Sequence, residues 1–182
     1  METNILYTHK DLVEKSKLGD RNAQYKLYEL YVDAMYNVSM RMMRIKEDAE
    51  DVVQDSFIEA FNNLSSFRYE STFGSWLKRI VVNKSINQLK KKKTPIVPIE
   101  NEMYRIKNED EDEDKKVDAM DIKKVIKSIQ LLPVGYQQII NLYLIEGFDH
   151  VEISEILNIT PSTSKSQYHR AKKKIIEIIK TL

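Results

Sequence analysis

The chain has no cysteine, and it has few histidines, glycines and prolines. Without cysteine, neither a disulfide nor a thiolate metal site can form. Its three imidazoles, those of His9, His150 and His169, are scattered along the sequence. No apolar stretch approaches the ~20 residues of a membrane-spanning helix, and residues 1–11 lack the basic-then-apolar pattern of a secretory signal. We therefore expect a soluble cytoplasmic protein that binds no metal or cofactor and does not insert into a membrane.

Charge is plentiful but segregated. Charged residues make up 31% of the 182 residues, hydrophobic residues 42%, and the net charge is only +1. An acidic run at 109–114 lies within residues 94–117, and like charges in one block resist compaction. Apolar residues recur at helical spacing on both sides of this segment. The sequence predicts an all-α protein: two small helical domains, 1–93 and 118–182, joined by a flexible acidic linker over 94–117.

Periodicity predicts four helices in the first domain, at 10–18, 22–43, 47–61 and 75–90, with a loop over 62–74. In the second domain it predicts helices over 118–132 and 136–145, followed by a helix-turn-helix. The four glycines and four prolines of the chain suit such long helices with few turns.

The helix-turn-helix at 149–174 is the most informative stretch. Asp149 and Glu152 can form a reciprocal capping pair at the start of the first helix, and Asn158 tolerates the left-handed backbone of a sharp turn. Thr160 can cap the second helix, with Pro161 at its first position. The residues predicted to face the core are Val151, Ile153, Ile156 and Leu157 on the first helix and Ser164, Tyr168, Ala171 and Ile175 on the second. Residues 158–174 contain basic side chains and no acid.

A cationic second helix of this kind fits the major groove of DNA and its phosphates. The alternative is an ordinary solvated face. The coincidence of cap, turn and charge in this order favours DNA contact.

Residues 47–59 carry an acidic stripe. Asp48, Asp51 and Asp55 are three and four residues apart, so they share one helix face with Gln54. A solvated face explains this pattern as well as a binding surface does. Catalysis or metal binding is disfavoured because no histidine, glycine-rich loop or nucleophile accompanies the acids. The pattern favours docking on a basic protein surface over both of these.

Residues 67–93 combine basic and aromatic side chains. Eight basic residues face a single acid, Glu70, and Phe67, Tyr69, Phe73 and Trp76 are interleaved with them. Cations beside stacking surfaces suit single-stranded or unpaired bases. The alternative is that the aromatic rings belong to the core, and Trp76 is expected to be partly buried and partly exposed.

Together these segments resemble the extracytoplasmic-function (ECF) group of bacterial sigma factors. The resemblance rests on DAEDVVQDSFIEAF at 48–61, on FRYESTFGSWLKRIVVNKSIN at 67–87, and on LPVGYQQIINLYLIEGFDHVEISEILNITPSTSKSQYHRAKKKI at 132–175. It covers most of the chain outside the linker and the first ~20 residues. Three motifs in this order are specific, whereas a helix-turn-helix alone is shared with many regulators.

The resemblance implies a non-enzymatic subunit that binds core RNA polymerase, selects promoters and starts DNA melting. Polymerase docking, on the clamp helices of the largest subunit, would use Asp48, Asp51, Gln54 and Asp55. Contacts to the melted minus-ten element would come from Leu64, Ser65, Ser66, Phe67, Trp76, Arg79, Asn83 and Lys84. The duplex minus-thirty-five element would be read by Lys165, Ser166, His169, Arg170, Lys172 and Lys173. The second domain would also meet the polymerase flap, and the linker would follow the RNA exit path.

The resemblance also implies an anti-sigma factor, often membrane-anchored, that masks both domains. The main rival is a helix-turn-helix regulator that binds duplex DNA without forming a holoenzyme. It predicts tight operator binding by the isolated protein and leaves the acidic stripe and aromatic loop without a function. An enzyme with an acidic site at 48–59 and a protein-interaction adaptor are further alternatives.

Overall fold

The structure, a computed structural model, describes residues 8–92 and 122–182. The chain divides into two compact units, Met1–Thr94 and Pro95–Leu182. Every regular element in the described ranges is helical, as the all-α prediction required. The predicted linker at 94–117 and the predicted helix start at 118 lie outside the described residues.

Within residues 8–92, the first unit contains four helices and one short turn. They are α1 (Lys10–Lys17), α2 (Arg21–Met43), α3 (Lys46–Asn62), a 3-10 turn (Leu64–Ser66) and α4 (Phe73–Lys91). Helices α2, α3 and α4 pack against one another, and α1 packs on α2 and contacts the 3-10 turn. The core includes the buried side chains Leu27, Phe57, Phe73, Leu77 and Val81.

Local capping explains where these helices begin and end. The Asp20 carboxylate accepts hydrogen bonds from the backbone N–H groups of Asn22 and Ala23 at 2.9 and 3.1 Å, which starts α2. Arg44 adopts left-handed backbone at φ 63° and ends it. Thr72 caps α4 through Ser75 N–H at 3.1 Å, so this helix begins two residues earlier than periodicity predicted.

The second unit contains α5 (Ile122–Leu131), α6 (Val134–Ile140), α7 (His150–Leu157) and α8 (Pro161–Thr181). Helix α6 continues into a π-helical turn, Asn141–Ile145, rather than running as one α-helix to residue 145 as predicted. One hydrophobic cluster in the core of this unit brings together Leu132, Tyr136 and Ile140 with Ala171 of α8. Ile129, Tyr168, Ile175 and Ile178 pack against that cluster.

One predicted core position is wrong. Val151 is 57% exposed, whereas Ile153, Ile156 and Leu157 are buried as expected. Val151 lies in the first turn of α7, two residues after the cap Asp149, and the direction of its side chain depends on where the rest of the unit lies rather than on helical period alone. The first helix of the motif therefore buries a narrower face than the sequence indicated.

Candidate nucleic-acid interface

The helix-turn-helix forms as predicted. Asp149 accepts hydrogen bonds from the N–H groups of Val151 and Glu152 at 2.7 and 2.8 Å, and Glu152 accepts from the Asp149 N–H at 3.0 Å. This is a complete capping box. Asn158 has left-handed backbone at φ 59° and ends α7. Thr160 caps α8 through the Thr163 N–H at 3.1 Å, with proline at the first turn.

Helix α8 presents a cationic face. Most of the candidate residues for duplex contact are exposed, namely Lys165, His169, Lys172 and Lys173, while Ser166 and Arg170 are half-buried. The Lys172 ammonium lies 4.8 Å from the centroid of the Tyr168 ring, within cation–π range. The aliphatic stem of such a lysine covers the ring while its charge stays in water. The basic side chains of α8 are therefore accessible to an anionic partner while the apolar face of the helix stays packed in the core.

A polar and aromatic cluster joins α7 to α8. The His150 ring stacks on Tyr143 with centroids 4.5 Å apart and planes 15° apart, and Tyr168 lies 4.6 Å from Tyr143. His150 Nδ1 shares a hydrogen bond of 2.9 Å with the fully buried Ser164 hydroxyl. Serine is therefore the better residue at 164, where an aliphatic residue would leave this imidazole nitrogen unpaired.

Burial lowers the pKa of His150 below its ordinary value of 6.5, and the charges of Lys165 and His169 lower it further, while Asp149 opposes the shift. Desolvation and like charges both disfavour the imidazolium. His150 is accordingly neutral at pH 7 and fixes the start of α7 against the buried face of α8.

We expect the second unit to lose stability as the pH falls below about 6.5. The unfolded chain takes up a proton on His150 at a pH where the folded unit does not, so acid favours unfolding until the folded pKa is reached. Hydrogen exchange of α7 and α8 in the full chain, measured between pH 7.5 and pH 5, tests this. His150→Gln should flatten the pH dependence, whereas His169→Gln on the exposed face should retain it. An equal slope in wild type and His150→Gln would contradict the assignment.

The loop before α4 differs from the predicted base-contacting loop. Phe67 is 3% exposed and Leu64 is 1% exposed, so neither side chain presents a face to a base in this structure. Phe67 packs with centroid distances of 5.3 Å to Trp76 and 6.0 Å to Phe73. Between them, Ser65 and Ser66 are exposed, and Trp76 is half-buried as expected. The buried rings support the loop from beneath, and its exposed polar surface is that of the two serines.

A polar groove runs between α3 and α4. Its lining includes Asn83, Lys84, Asn87 and Lys90 from α4 and Asp55 from α3. Asn83 is exposed. On the same helix, Arg79 is exposed as well.

Lys84, predicted to hold the single-strand backbone, also forms an ion pair within the protein. Its ammonium lies 2.9 Å from the Glu59 carboxylate of α3, so part of its charge is already compensated. The pair joins the two helices that line the groove. Sequence spacing gave no signal of it.

The acidic stripe on α3 is narrower than predicted. Asp51, Gln54 and Asp55 are exposed, but the Asp48 side chain is only 13% exposed. Both Asp48 carboxylate oxygens lie 2.6 Å from the Lys92 ammonium at the end of α4. Asp48 therefore joins the start of α3 to the end of α4, which leaves three residues as the free polar face.

Within residues 8–92 and 122–182, no group of three or more His, Cys, Asp or Glu side chains is placed to hold a metal ion. No helix in those ranges is both long and apolar enough to cross a bilayer.

A compact helical unit with an acidic face and a polar groove, and a second unit with a cationic helix-turn-helix, together define a DNA-binding protein of the helix-turn-helix class. Comparison with known proteins narrows this class. The model of Sigma-70 region 2 matches residues 27–94, and that of Sigma-70 region 4 matches residues 122–175. The chain belongs to the ECF group of RNA polymerase sigma factors, which partner core RNA polymerase and promoter DNA.

Two relatives span nearly the whole chain. The ECF RNA polymerase sigma factor SigW of Bacillus subtilis is 31% identical, with 95% of this chain and 97% of the relative covered. The ECF RNA polymerase sigma-E factor of Haemophilus influenzae is also 31% identical, with coverage of 96% and 97%. The similarity thus includes both units and is not confined to the helix-turn-helix.

Two solved structures share the fold. CnrH, solved in complex with the cytosolic domain of CnrY, is 20% identical with a TM-score of 0.56, covering 93% of this chain and 96% of that one. RpoE of Bartonella quintana, solved with the anti-sigma factor NepR, is 22% identical with a TM-score of 0.56, covering 86% and 96%.

Proposed function

We propose that this sigma factor binds its partners through three surfaces. The exposed face of α3 binds core polymerase, the loop and groove around α4 bind the melted minus-ten strand, and the cationic face of α8 binds the minus-thirty-five duplex. The proposed domain limits are 1–93 for the polymerase-docking and minus-ten domain, 94–117 for the linker and 118–182 for the minus-thirty-five domain. The observation that carries the proposal is the segregation of an acidic face and a cationic helix on two separate helical units.

Docking on core polymerase falls to Asp51, Gln54 and Asp55. They are exposed on consecutive turns of α3, beside the apolar and exposed Ile58. Exposed charges in the free protein steer a basic partner toward the surface. The attraction between the two sets of charges becomes stronger when water is excluded from the interface. We assign the clamp helices of the largest polymerase subunit as their partner. Asp48 supports this face through its pair with Lys92 and does not contact the partner itself.

Capture of the melted minus-ten strand falls to the exposed loop serines and to α4. Ser65 and Ser66 offer hydroxyl groups, and Asn83 offers an amide that can donate to and accept from a base edge. Arg79 and Lys84 hold the strand backbone, and Trp76 offers part of its ring for stacking. Extruding a base costs a few kcal/mol, which contacts in this loop and polymerase binding must supply together.

Reading of the minus-thirty-five duplex falls to α8. Its first turns hold Lys165, Ser166 and Arg170, the residues proposed nearest the base edges, with His169 beside them. Lys172 and Lys173 follow on exposed positions and hold phosphates. The N-terminal turns of a recognition helix are the part that enters the groove.

Arg170→Ala should relax sequence preference at one base pair of the upstream element and cost roughly 1–3 kcal/mol of binding to the preferred sequence. An arginine fork on a guanine edge discriminates, whereas a phosphate contact does not. Holoenzyme binding to a panel of single-base variants measures this. Lys173→Ala is the matched control and should weaken every sequence about equally. Uniform weakening by Arg170→Ala as well would assign Arg170 to phosphate.

We also propose that the protein works in the cytoplasm, has no catalytic activity of its own and is held inactive by an anti-sigma factor that covers both units. The support for an inhibitor is that one fold neighbour was solved with an anti-sigma factor. Its anchoring in a membrane is an expectation from the family resemblance.

Co-elution of the purified chain with bacterial core RNA polymerase on gel filtration tests the proposed function. A stable complex supports holoenzyme formation. If the folded wild type does not co-elute but binds a duplex operator tightly by itself, the protein is a stand-alone regulator. A sigma factor is distinguished most clearly from a stand-alone regulator if the chain co-elutes with core polymerase and the isolated chain binds duplex DNA only weakly.

A further inference from the structure

A set of polar contacts joins α1 to the loop that precedes α4. Tyr69 Oη donates a hydrogen bond of 2.6 Å to Glu14 Oε1. Lys17 Nζ donates to the same Glu14 oxygen at 3.1 Å and to the backbone carbonyl of Phe67 at 3.1 Å. We call Glu14, Lys17 and Tyr69 the α1 polar cluster. It connects two points of the loop, at residues 67 and 69, to α1 through contacts between residues that are 50 and 55 positions apart in the chain.

Ring contacts reinforce this cluster. The Lys17 ammonium lies 4.8 Å from the centroid of the Tyr69 ring and 5.9 Å from that of Phe67. Lys10 lies at the other end of α1, and its ammonium is 5.9 Å from the centroid of the Tyr69 ring. Ammonium groups at these distances are attracted to the ring face.

Backbone geometry shows why the loop needs external support. Tyr69 has left-handed backbone at φ 62°, which a non-glycine residue rarely adopts without compensation. An isolated exposed ion pair would stabilise it little. Here, however, the Lys17 side chain is only 19% exposed and contacts a carboxylate, a carbonyl and a ring at once. Hydrogen bonding from Tyr69, followed by the contact with Lys17, lowers the pKa of Glu14, as such a network requires.

We propose that Glu14 and Lys17 are positioning residues that hold the loop, through Tyr69 and the Phe67 carbonyl, in the conformation that receives the unpaired minus-ten base. This inference rests on the proposed function of the same loop. The two exposed serines, Ser65 and Ser66, lie in the 3-10 turn that α1 also contacts. Helix α1 thus serves as a support for strand capture, although it contributes no residue to the proposed DNA surface.

The effect follows from preorganisation. If the loop is already ordered before the strand binds, binding does not have to supply the free energy that ordering costs. The apparent affinity for the strand is therefore proportional to the fraction of protein whose loop has the binding-competent conformation. If the variants reduce that fraction to about a tenth, single-strand binding weakens roughly tenfold. Docking on polymerase, which uses α3, and duplex reading, which uses α8, should remain unchanged.

The experiment compares wild type with Lys17→Met, Tyr69→Phe and Lys17→Arg, each as full-length protein assembled with core polymerase. The probe is forked DNA with the non-template strand unpaired across the minus-ten element, taken from a promoter that the wild-type holoenzyme selects from a random library. Lys17→Met and Tyr69→Phe should weaken fork binding roughly tenfold. Lys17→Arg should restore it, because a guanidinium still donates to both oxygens. Lys15→Met, the same change at an exposed position of α1, is the control and should bind as wild type.

Core affinity and melting temperature are measured for the same proteins. Reduced fork binding with unchanged core affinity and unchanged thermal stability supports the positioning function. Fork binding equal to wild type in both Lys17→Met and Tyr69→Phe overturns it. So does a loss that Lys17→Arg fails to restore, or that accompanies an equal loss of core affinity, because the cluster would then act only on stability. If the wild-type holoenzyme itself does not prefer forked over duplex DNA, the proposed function of the loop fails instead.

Discussion

Asp51→Lys is expected to weaken binding to core RNA polymerase by roughly 2–4 kcal/mol, or about 30- to 1,000-fold in Kd. Asp51 is exposed in the middle of α3, between the buried positions Ala49 and Val52, so its side chain points away from the helical core. Reversal of its charge places a cation where the proposed partner is basic. Like charges juxtaposed at an interface cost several kcal/mol. The fold should tolerate the change because no core contact is lost.

Titration of fluorescently labelled core polymerase with the wild type and the variant measures this effect. Gln54→Ala, one turn away and uncharged, should weaken binding less. Asp11→Lys is the matched control, since it makes the same charge reversal at an exposed residue of α1. If Asp51→Lys binds like the wild type, or if Asp11→Lys is equally impaired, the docking face is not on α3.

Phe67→Ala is expected to lower the free energy of unfolding of the first unit by roughly 3–5 kcal/mol. The ring is buried among Tyr69, Phe73 and Trp76, with centroid distances of 4.7, 6.0 and 5.3 Å. Removing it leaves a cavity that these rings cannot fill without shifting the loop. Small domains are stable by only about 5–15 kcal/mol, so this loss is a large share of the total.

Denaturant unfolding followed by Trp76 fluorescence measures the loss directly, since Trp76 lies against the ring. Phe67→Leu fills much of the space and should cost far less. A stable Phe67→Ala protein that fails only in promoter opening would contradict the structural account. It would show that Phe67 leaves the core to contact a base, as the sequence resemblance first implied.

The two serines of the same loop should show the opposite pattern. Ser65 and Ser66 are exposed, and the Ser66 hydroxyl donates to the Asn63 carbonyl at 2.7 Å, a local contact of modest weight. Substitutions there should alter strand capture with little loss of stability. The contrast between Phe67 and its neighbours separates support of the loop from contact with DNA.

The features that the sequence predicted well are local ones. The capping box at Asp149, the left-handed Asn158 and the cap at Thr160 depend on residues within three or four positions of each other. Such contacts form in nearly the same way whatever the rest of the chain does. The helix-turn-helix was therefore predictable almost residue by residue, and so were the limits of α2 to within one residue.

The features that the sequence missed depend on long-range packing. Asp48 and Lys92 are 44 residues apart, and Glu14 and Tyr69 are 55 apart, so no local pattern indicates that either pair meets. Helical spacing places Asp48 on the acidic stripe, whereas in the structure its side chain is only 13% exposed and pairs with Lys92 of α4. The same reasoning applies to Phe67. Its basic and aromatic neighbours in the sequence suggested stacking on DNA, whereas in the structure its ring is buried against Phe73 and Trp76.

Ser164 shows a third case. At this core position of α8 hydrophobic period alone predicts an aliphatic side chain, whereas the chain has a serine. Its hydroxyl pairs with His150 Nδ1, which lies at the start of the preceding helix. The signal was present in the sequence as a histidine and a buried polar residue 14 positions apart, but only the packing of α7 on α8 shows that they are partners.

As a sigma factor, this chain should give core RNA polymerase its promoter specificity. The decisive measurement is the mapping of transcription start sites on a random-sequence promoter library, with core polymerase alone and with the chain added. We expect new start sites preceded by two shared sequence blocks, at the minus-ten and minus-thirty-five positions, and we expect these sites to be lost with Asp51→Lys. Start sites identical to those of core polymerase alone, with folded protein present in excess, would contradict this expectation.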